Sequence, residues 1–271
     1  MTCRWALAVA ALAATPAAAR FAPATDAPYR LTMTMERAVG EGGVGDRDDG
    51  RGVRRFATEY AVTFARIATG YRAILRARAG SAADSAGTAT FSRLQSALAD
   101  VPVTVLLDRH GALIAVEDVA PLWERLRAAI AATQGDDARR AQLLALHDAA
   151  TPAIRVQTLA GDLLALCAGA DADRRDAGRA TTLPGTDGTA LPVRETVTRD
   201  GDTIVVVTRD EAGTFLRRRT IGRRDGLVRE LREERRLTAR HRGVTRTAAT
   251  VRIARLDLMV SPYPSGTARK P

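Results

Sequence analysis

The sequence predicts an α+β fold, a curved antiparallel sheet with a central insert of about three helices packed on one face. Three observations carry that expectation. Apolar and polar residues alternate along most of the stretch from 29 to 79 and again beyond 191, the period of a half-buried strand. Between 119 and 169 the apolar residues recur instead at intervals of three and four, the stripe of a helix with one buried face. Turn residues then punctuate the last third at Asp200-Gly201, Asp210 to Gly213, Arg223 to Gly226 and Arg240 to Gly243. That rhythm fits a meander of long antiparallel strands.

The first strand is YRLTMTMERAV, where Tyr29, Leu31, Met33 and Met35 share a face. GEGGVGDRDDGRG, residues 40–52, is too rich in Gly and Asp for anything but a loop. Phe56, Thr58, Tyr60, Val62 and Phe64 line one side of a second strand, Gly70 ends it, and YRAILRARA forms a third. GSAADSAGT reads as a surface loop. A short helix is expected over Thr90 to Ala99, followed by a hairpin, 102–117, closed around Asp108 to Gly111.

Asp118 is placed to cap the first helix of the insert, VAPLWERLRAAIAAT, with Pro121 in its first turn. Leu122, Trp123, Leu126, Ala129 and Ile130 make its apolar stripe. GDDARRAQLLALHDA gives a second helix, its acids set against the positive end of the helix dipole. TPAIRVQTLAGDLLALCAGA gives a third, interrupted at Gly161. A loop from Asp171 to Leu191 leads into the meander, 191–257. The organisation that follows is a 20–28 linker, a single domain over 29–258 and a disordered tail, 259–271.

LVRELREERRLTARHRGVTRTAATVRIARL, residues 227–256, is the hardest stretch to place. Its residues are good helix formers, yet they give no clean stripe on a helix and no clean parity on a strand. Hairpin signals on both sides decide for strand. From Arg217 to Arg246, twelve arginines face only Asp225, Glu230, Glu233 and Glu234, a local excess of eight in a chain of formal charge +10. Nucleic acid is excluded as a partner: the segment has no aromatic after Phe215 on which a base could stack. A solvated, salt-bridged sheet face is the first reading. Docking on an anionic envelope surface through Arg217, Arg219, Arg229 and Arg235 is the alternative.

Residues 1–19, MTCRWALAVAALAATPAAA, have the layout of a secretory signal peptide. Arg4 is the positive n-region, Trp5 to Ala14 carry no charge, and Ala17 to Ala19 form a small-residue cleavage triplet. The apolar run is too short for a bilayer core, which needs about twenty residues. The chain is therefore expected to be periplasmic or secreted after cleavage near Ala19. Cys3 leaves with the leader, and Cys167, in apolar LLALCAGA, is expected to be a core residue without a disulfide partner.

Catalytic chemistry is absent from this reading. There is no G-x-S-x-G elbow and no H-E-x-x-H helix. His110, His147 and His241 are scattered and expected to be solvated. GDRDDG and DADRRDAG lack the acid spacing of a calcium loop. No catalytic residue, metal or cofactor is expected, and the protein is read as not an enzyme.

The element order, from β-rich start through hairpin and amphipathic helices to meander, resembles the half-barrel of periplasmic lipoprotein carriers and related envelope lipid-binding proteins. It is similar also to uncharacterised exported bacterial proteins with a hairpin of the type VTVLLDRHGALIAVED and strands joined by RRDGLV. The resemblance covers most of the mature chain as element order, and the 40–52 loop and the arginine-bearing strands depart from it. It implies helices over the concave face of a sheet and an apolar cavity between them for a lipid-like or apolar ligand. The lining would come from Trp123, Leu126 and Ile130 with Phe56, Tyr60 and Phe64. The plainer reading, that these residues fill a packed core, stands beside it.

Overall fold

The computed structural model describes residues 21–41, 53–83, 96–99, 101–133, 137–167, 178–184, 190–241 and 244–259. Eleven strands form one antiparallel sheet. They are β1 (Tyr29–Glu41), β2 (Arg54–Ile67), β3 (Gly70–Ala83), β4 (Val103–Asp108) and β5 (Leu113–Val116), then β6 (Arg179–Pro184), β7 (Ala190–Asp200), β8 (Thr203–Asp210), β9 (Phe215–Gly222), β10 (Val228–His241) and β11 (Val244–Leu258). Helices α1 (Val119–Ala131), α2 (Asp137–Asp148) and α3 (Pro152–Leu166) lie between β5 and β6. The fold is thus dominated by its sheet.

The strand order is β5-β4-β3-β2-β1-β11-β10-β9-β8-β7-β6, leaving β5 and β6 as open edges. Almost every neighbour in the sheet is a neighbour in sequence, the arrangement that short connections favour. The exception is the centre, where β1 pairs with β11, Tyr29 opposite Leu258 and Glu41 opposite Arg246. Two wings result: β2 to β5 on one side of this seam and β10 to β6 on the other.

The core lies between one face of the sheet and the helices. Val62, Phe64, Leu75, Val105 and Leu107 from the first wing join Ile204, Val206, Ile221 and Leu231 from the second. The helices contribute Leu122, Trp123, Leu126, Leu159, Leu163 and Leu166. α3 touches β4 and β5 as well as β10 and β11. At the same end of the sheet, the Phe21 ring lies against Gly111 in the β4–β5 turn while the Ala22 N–H donates to the Asp225 carbonyl, 2.8 Å away, in the β9–β10 turn.

Several expectations need correction. The 20–28 linker is anchored: Phe21 is buried and meets Phe64 and Tyr71 edge-on, at 6.2 and 5.3 Å. β1 runs on through Gly40 and Glu41, and β3 through Gly80 to Ala83, where Arg55 to Thr58 of β2 offer ladder partners that outweigh weak local propensity. β6 was expected to be loop; it pairs with β7 over Arg179 to Pro184 and supplies the sheet edge. α3 is continuous through Gly161, which is buried there. A Cβ there would meet only the movable end of the exposed Gln157 side chain, so neither helix continuity nor close packing demands this glycine. Thr151 caps this helix by accepting from the Ile154 N–H, whereas Asp118, at φ 53°, makes no side-chain cap to α1. As expected, the arginine-rich stretch is strand, from Val228 onward within β10. Most of the helix expected at 90–99, the 42–52 part of the first loop and the tail from 260 lie outside the described residues.

Candidate functional site

A cavity of about 360 Å³ opens between the first wing and the helices. Tyr60, Leu75, Ala77 and Val103 of β2, β3 and β4 form its floor. The register explains the room above that floor: Tyr60 stands opposite Ala77, next to a bulge that follows Glu59, so a large side chain faces a small one. Trp123, Leu126 and Ile130 of α1 make one wall, at the three-and-four spacing that keeps them on one helical face. Leu143, Leu146 and His147 of α2 make a second, and Ile154, Thr158 and Leu159 of α3 a third. Leu146 and Ile154 are more than half exposed, at 62% and 53%, so apolar side chains stand at the cavity's edge in water.

Of the six residues expected to line a ligand site, Trp123, Leu126, Ile130 and Tyr60 come together here. Phe64 and Phe56 do not line it. Phe64 is buried in an aromatic cluster with Phe21 and Tyr29, its ring 5.5 Å from that of Tyr29. Phe56 is half-buried one strand end away, paired with Met35. Sharing a face of β2 was legible; position along the strand was not.

His147 is the residue the sequence reading misplaced. It is buried, stacked on Trp123 with ring centroids 4.3 Å apart. Its Nε2 lies 3.0 Å from the Trp123 carbonyl oxygen and its Nδ1 3.1 Å from Asp148 Oδ1. A signal for this was present: Leu143, Leu146, His147 and Ala150 follow the helical stripe of α2, so the imidazole occupies a core position. Asp148 is held down to about 2 by its bonds with Arg127 and His147. Arg155, one helix further on, places its guanidinium 5.7 Å from the Trp123 ring centroid, with its Nε–H donating to the Ala150 carbonyl. The buried Trp123 Nε1–H has no acceptor among the described residues.

Cys167 ends α3, fully buried, and desolvation pushes its thiol far above the ordinary cysteine range. It is a core residue, unfit as a nucleophile at neutral pH. His110 is exposed in the β4–β5 turn, and the side chain of His241 lies outside the described residues. Among the described residues no cluster of three or more His, Cys, Asp or Glu could hold a metal ion.

The second wing is built differently. Across its inner face the register sets Arg252 opposite Glu233, Glu233 opposite Arg217, Arg217 opposite Thr208 and Thr208 opposite Glu195. Opposite charges thus sit directly across strands, the stabilising pairing. Glu233 accepts from Arg217, at 2.7 and 2.8 Å, and from Arg235, at 2.7 Å. Desolvation raises its carboxyl, yet the two guanidiniums outweigh that and hold it below the usual glutamate range. Phe215 lies 5.3 Å from both Arg217 and Arg235. Arg219 meets Glu195 at 3.3 Å, Arg229 pairs with Asp225, and Arg252 reaches across to Asp162 of α3. Burial raises the Asp162 carboxyl against the opposing pull of Arg252.

All four arginines expected to touch an anionic surface, Arg217, Arg219, Arg229 and Arg235, therefore have carboxylate partners in the chain itself. No family model matches this chain, and no curated protein matches it in sequence. Among the described residues, no helix is long and apolar enough to cross a membrane.

Proposed function

We propose that this chain is an exported, non-enzymatic envelope protein that holds a lipid-like or apolar ligand between its helices and its sheet. The observation that carries the reading is the 360 Å³ cavity, lined by apolar side chains from three strands and three helices. Ligand cavities commonly fall between about 300 and 1,000 Å³ and are lined in this way.

Two further observations support it. Phe21 and Ala22, adjacent in sequence, bridge the β4–β5 and β9–β10 turns. In a flat sheet β4 and β10 would stand about 24 Å apart, five strand spacings. A curved, half-barrel-like sheet brings the turns within that reach and gives the helices a concave face to cover. The leader-like segment, residues 1–19, supports export to the periplasm or beyond.

Native mass spectrometry of the protein, purified from periplasm without detergent, tests this reading. A discrete adduct that extracts into organic solvent is expected. A clean mass for residues 20–271, unchanged after incubation with lipid extract, would overturn it.

A further inference from the structure

We infer that the cavity takes a single-chain anionic amphiphile, with the chain between helices and sheet and the head group on Arg155. This rests on the ligand-binding reading above and narrows it. Three observations lead to it. The cavity, at about 360 Å³, sits at the small end of the range for ligand sites, about 300 to 1,000 Å³, which suits one acyl chain better than the two or three of a membrane lipid or a lipoprotein anchor.

Arg155 supplies the charge. It is half-buried and stands behind the lining itself, with its guanidinium over the ring of Trp123, which forms part of the cavity wall. Its Nε–H donates to the Ala150 carbonyl. No carboxylate pairs with it among the described residues, in contrast to the arginines of the second wing. The nearby Asp148 is already engaged by Arg127 through both of its oxygens. A partly desolvated guanidinium with free Nη donors selects a carboxylate or phosphate oxygen.

The third observation is the indole of Trp123. Its ring is more than nine-tenths buried, it lines the cavity, and its Nε1–H is left without an acceptor. A buried donor calls for a partner. A head-group oxygen supplies one once binding parts the side chains that cover this nitrogen, which an all-hydrocarbon occupant does not. The exposed Leu146 and Ile154 then flank the first methylenes where the chain passes from head group to cavity.

The test uses the mature protein, residues 20–271, in which Trp123 is the only tryptophan. Its fluorescence is followed while dodecanoate or dodecyltrimethylammonium is added below micelle concentration. The expected result is a saturable change with dodecanoate, at least tenfold weaker binding of the cationic homologue, and about a tenfold loss for dodecanoate in Arg155→Gln, a charge-assisted bond removed. In that variant the preference between the two head groups should vanish, a readout that mere misfolding would not produce. Equal binding of both amphiphiles to the parent protein overturns the anionic head-group assignment while the ligand cavity stands. Saturable binding of neither overturns both. A diacyl phosphatidylglycerol, presented as small vesicles, that displaces dodecanoate one for one overturns the single-chain assignment alone.

Discussion

The two wings of the sheet solve the same problem with opposite chemistry. Each must bury one face, and each does so with residues of one strand parity. In the first wing that parity carries Tyr60, Val62, Phe64, Ala73 and Leu75, and three helices complete the enclosure while leaving a cavity. In the second it carries Glu195, Thr208, Arg217, Arg219 and Glu233, most of them nearly inaccessible. There charged and polar side chains satisfy one another across the strands, beside the hydrocarbon of Ile204, Val206, Ile221 and Leu231 on the same face. The first wing gains stability from area and is free to host an apolar guest. The second depends on complete pairing, because an uncompensated buried charge costs more than the pair returns. The cavity thus lies in the wing whose stability rests on area, not on pairing.

The comparison can be broken most forcefully in the shared core. Leu163→Ala removes a fully buried side chain of α3, the helix that touches both wings. A loss of about 2–5 kcal/mol in urea denaturation is expected, the usual range for such truncations. A loss under about 1 kcal/mol would show that α3 rests on the sheet without holding it.

A smaller effect isolates the second wing. Glu233→Gln leaves Arg217 and Arg235 without their shared carboxylate, and a loss of about 1–3 kcal/mol follows. The pH dependence identifies the cause. Glu233 has its folded-state carboxyl held low, so its contribution is present above the ordinary glutamate value of about 4.3 and fades as pH falls through the lower, folded one. The parent should therefore lose stability over the mildly acid range more steeply than the variant. Parallel stability curves from pH 6 to pH 3 would contradict the ion-pair account.

The smallest effect concerns the first wing's edge. Leu146→Ser, at a position 62% exposed, should change stability by less than about 0.5 kcal/mol. The same substitution should weaken dodecanoate binding a few-fold. A stability loss above about 1 kcal/mol would mean that Leu146 is packed rather than set at an opening.

These wings were unequally legible in the sequence. Tyr60, Trp123, Leu126 and Ile130 were found because apolar periodicity and apolar environment coincide in the first wing. In β10 they part company. Leu231, Glu233, Arg235 and Leu237 look like a spoiled parity, yet Leu231 and Glu233 are buried on the inner face, where Arg219 and Arg217 stand opposite them. A pattern that equates inside with apolar misses a face neutralised by its cross-strand neighbours. His147 was lost for a related reason: its place on the α2 stripe outweighed its polarity once the Trp123 carbonyl and Asp148 were there to receive the ring. β6 was hidden because its partner, β7, and not its own composition makes it a strand.

The seam between the wings has a consequence for how the molecule comes into being. β1 and β11 are the first and last strands to leave the ribosome, and their ladder joins residues more than two hundred apart, Tyr29 with Leu258 and Glu41 with Arg246. Neither wing can be stitched to the other until the entire polypeptide has been made. Such long-range closure is slow relative to hairpin formation. Until its final strand arrives, the chain has no completed sheet to unravel.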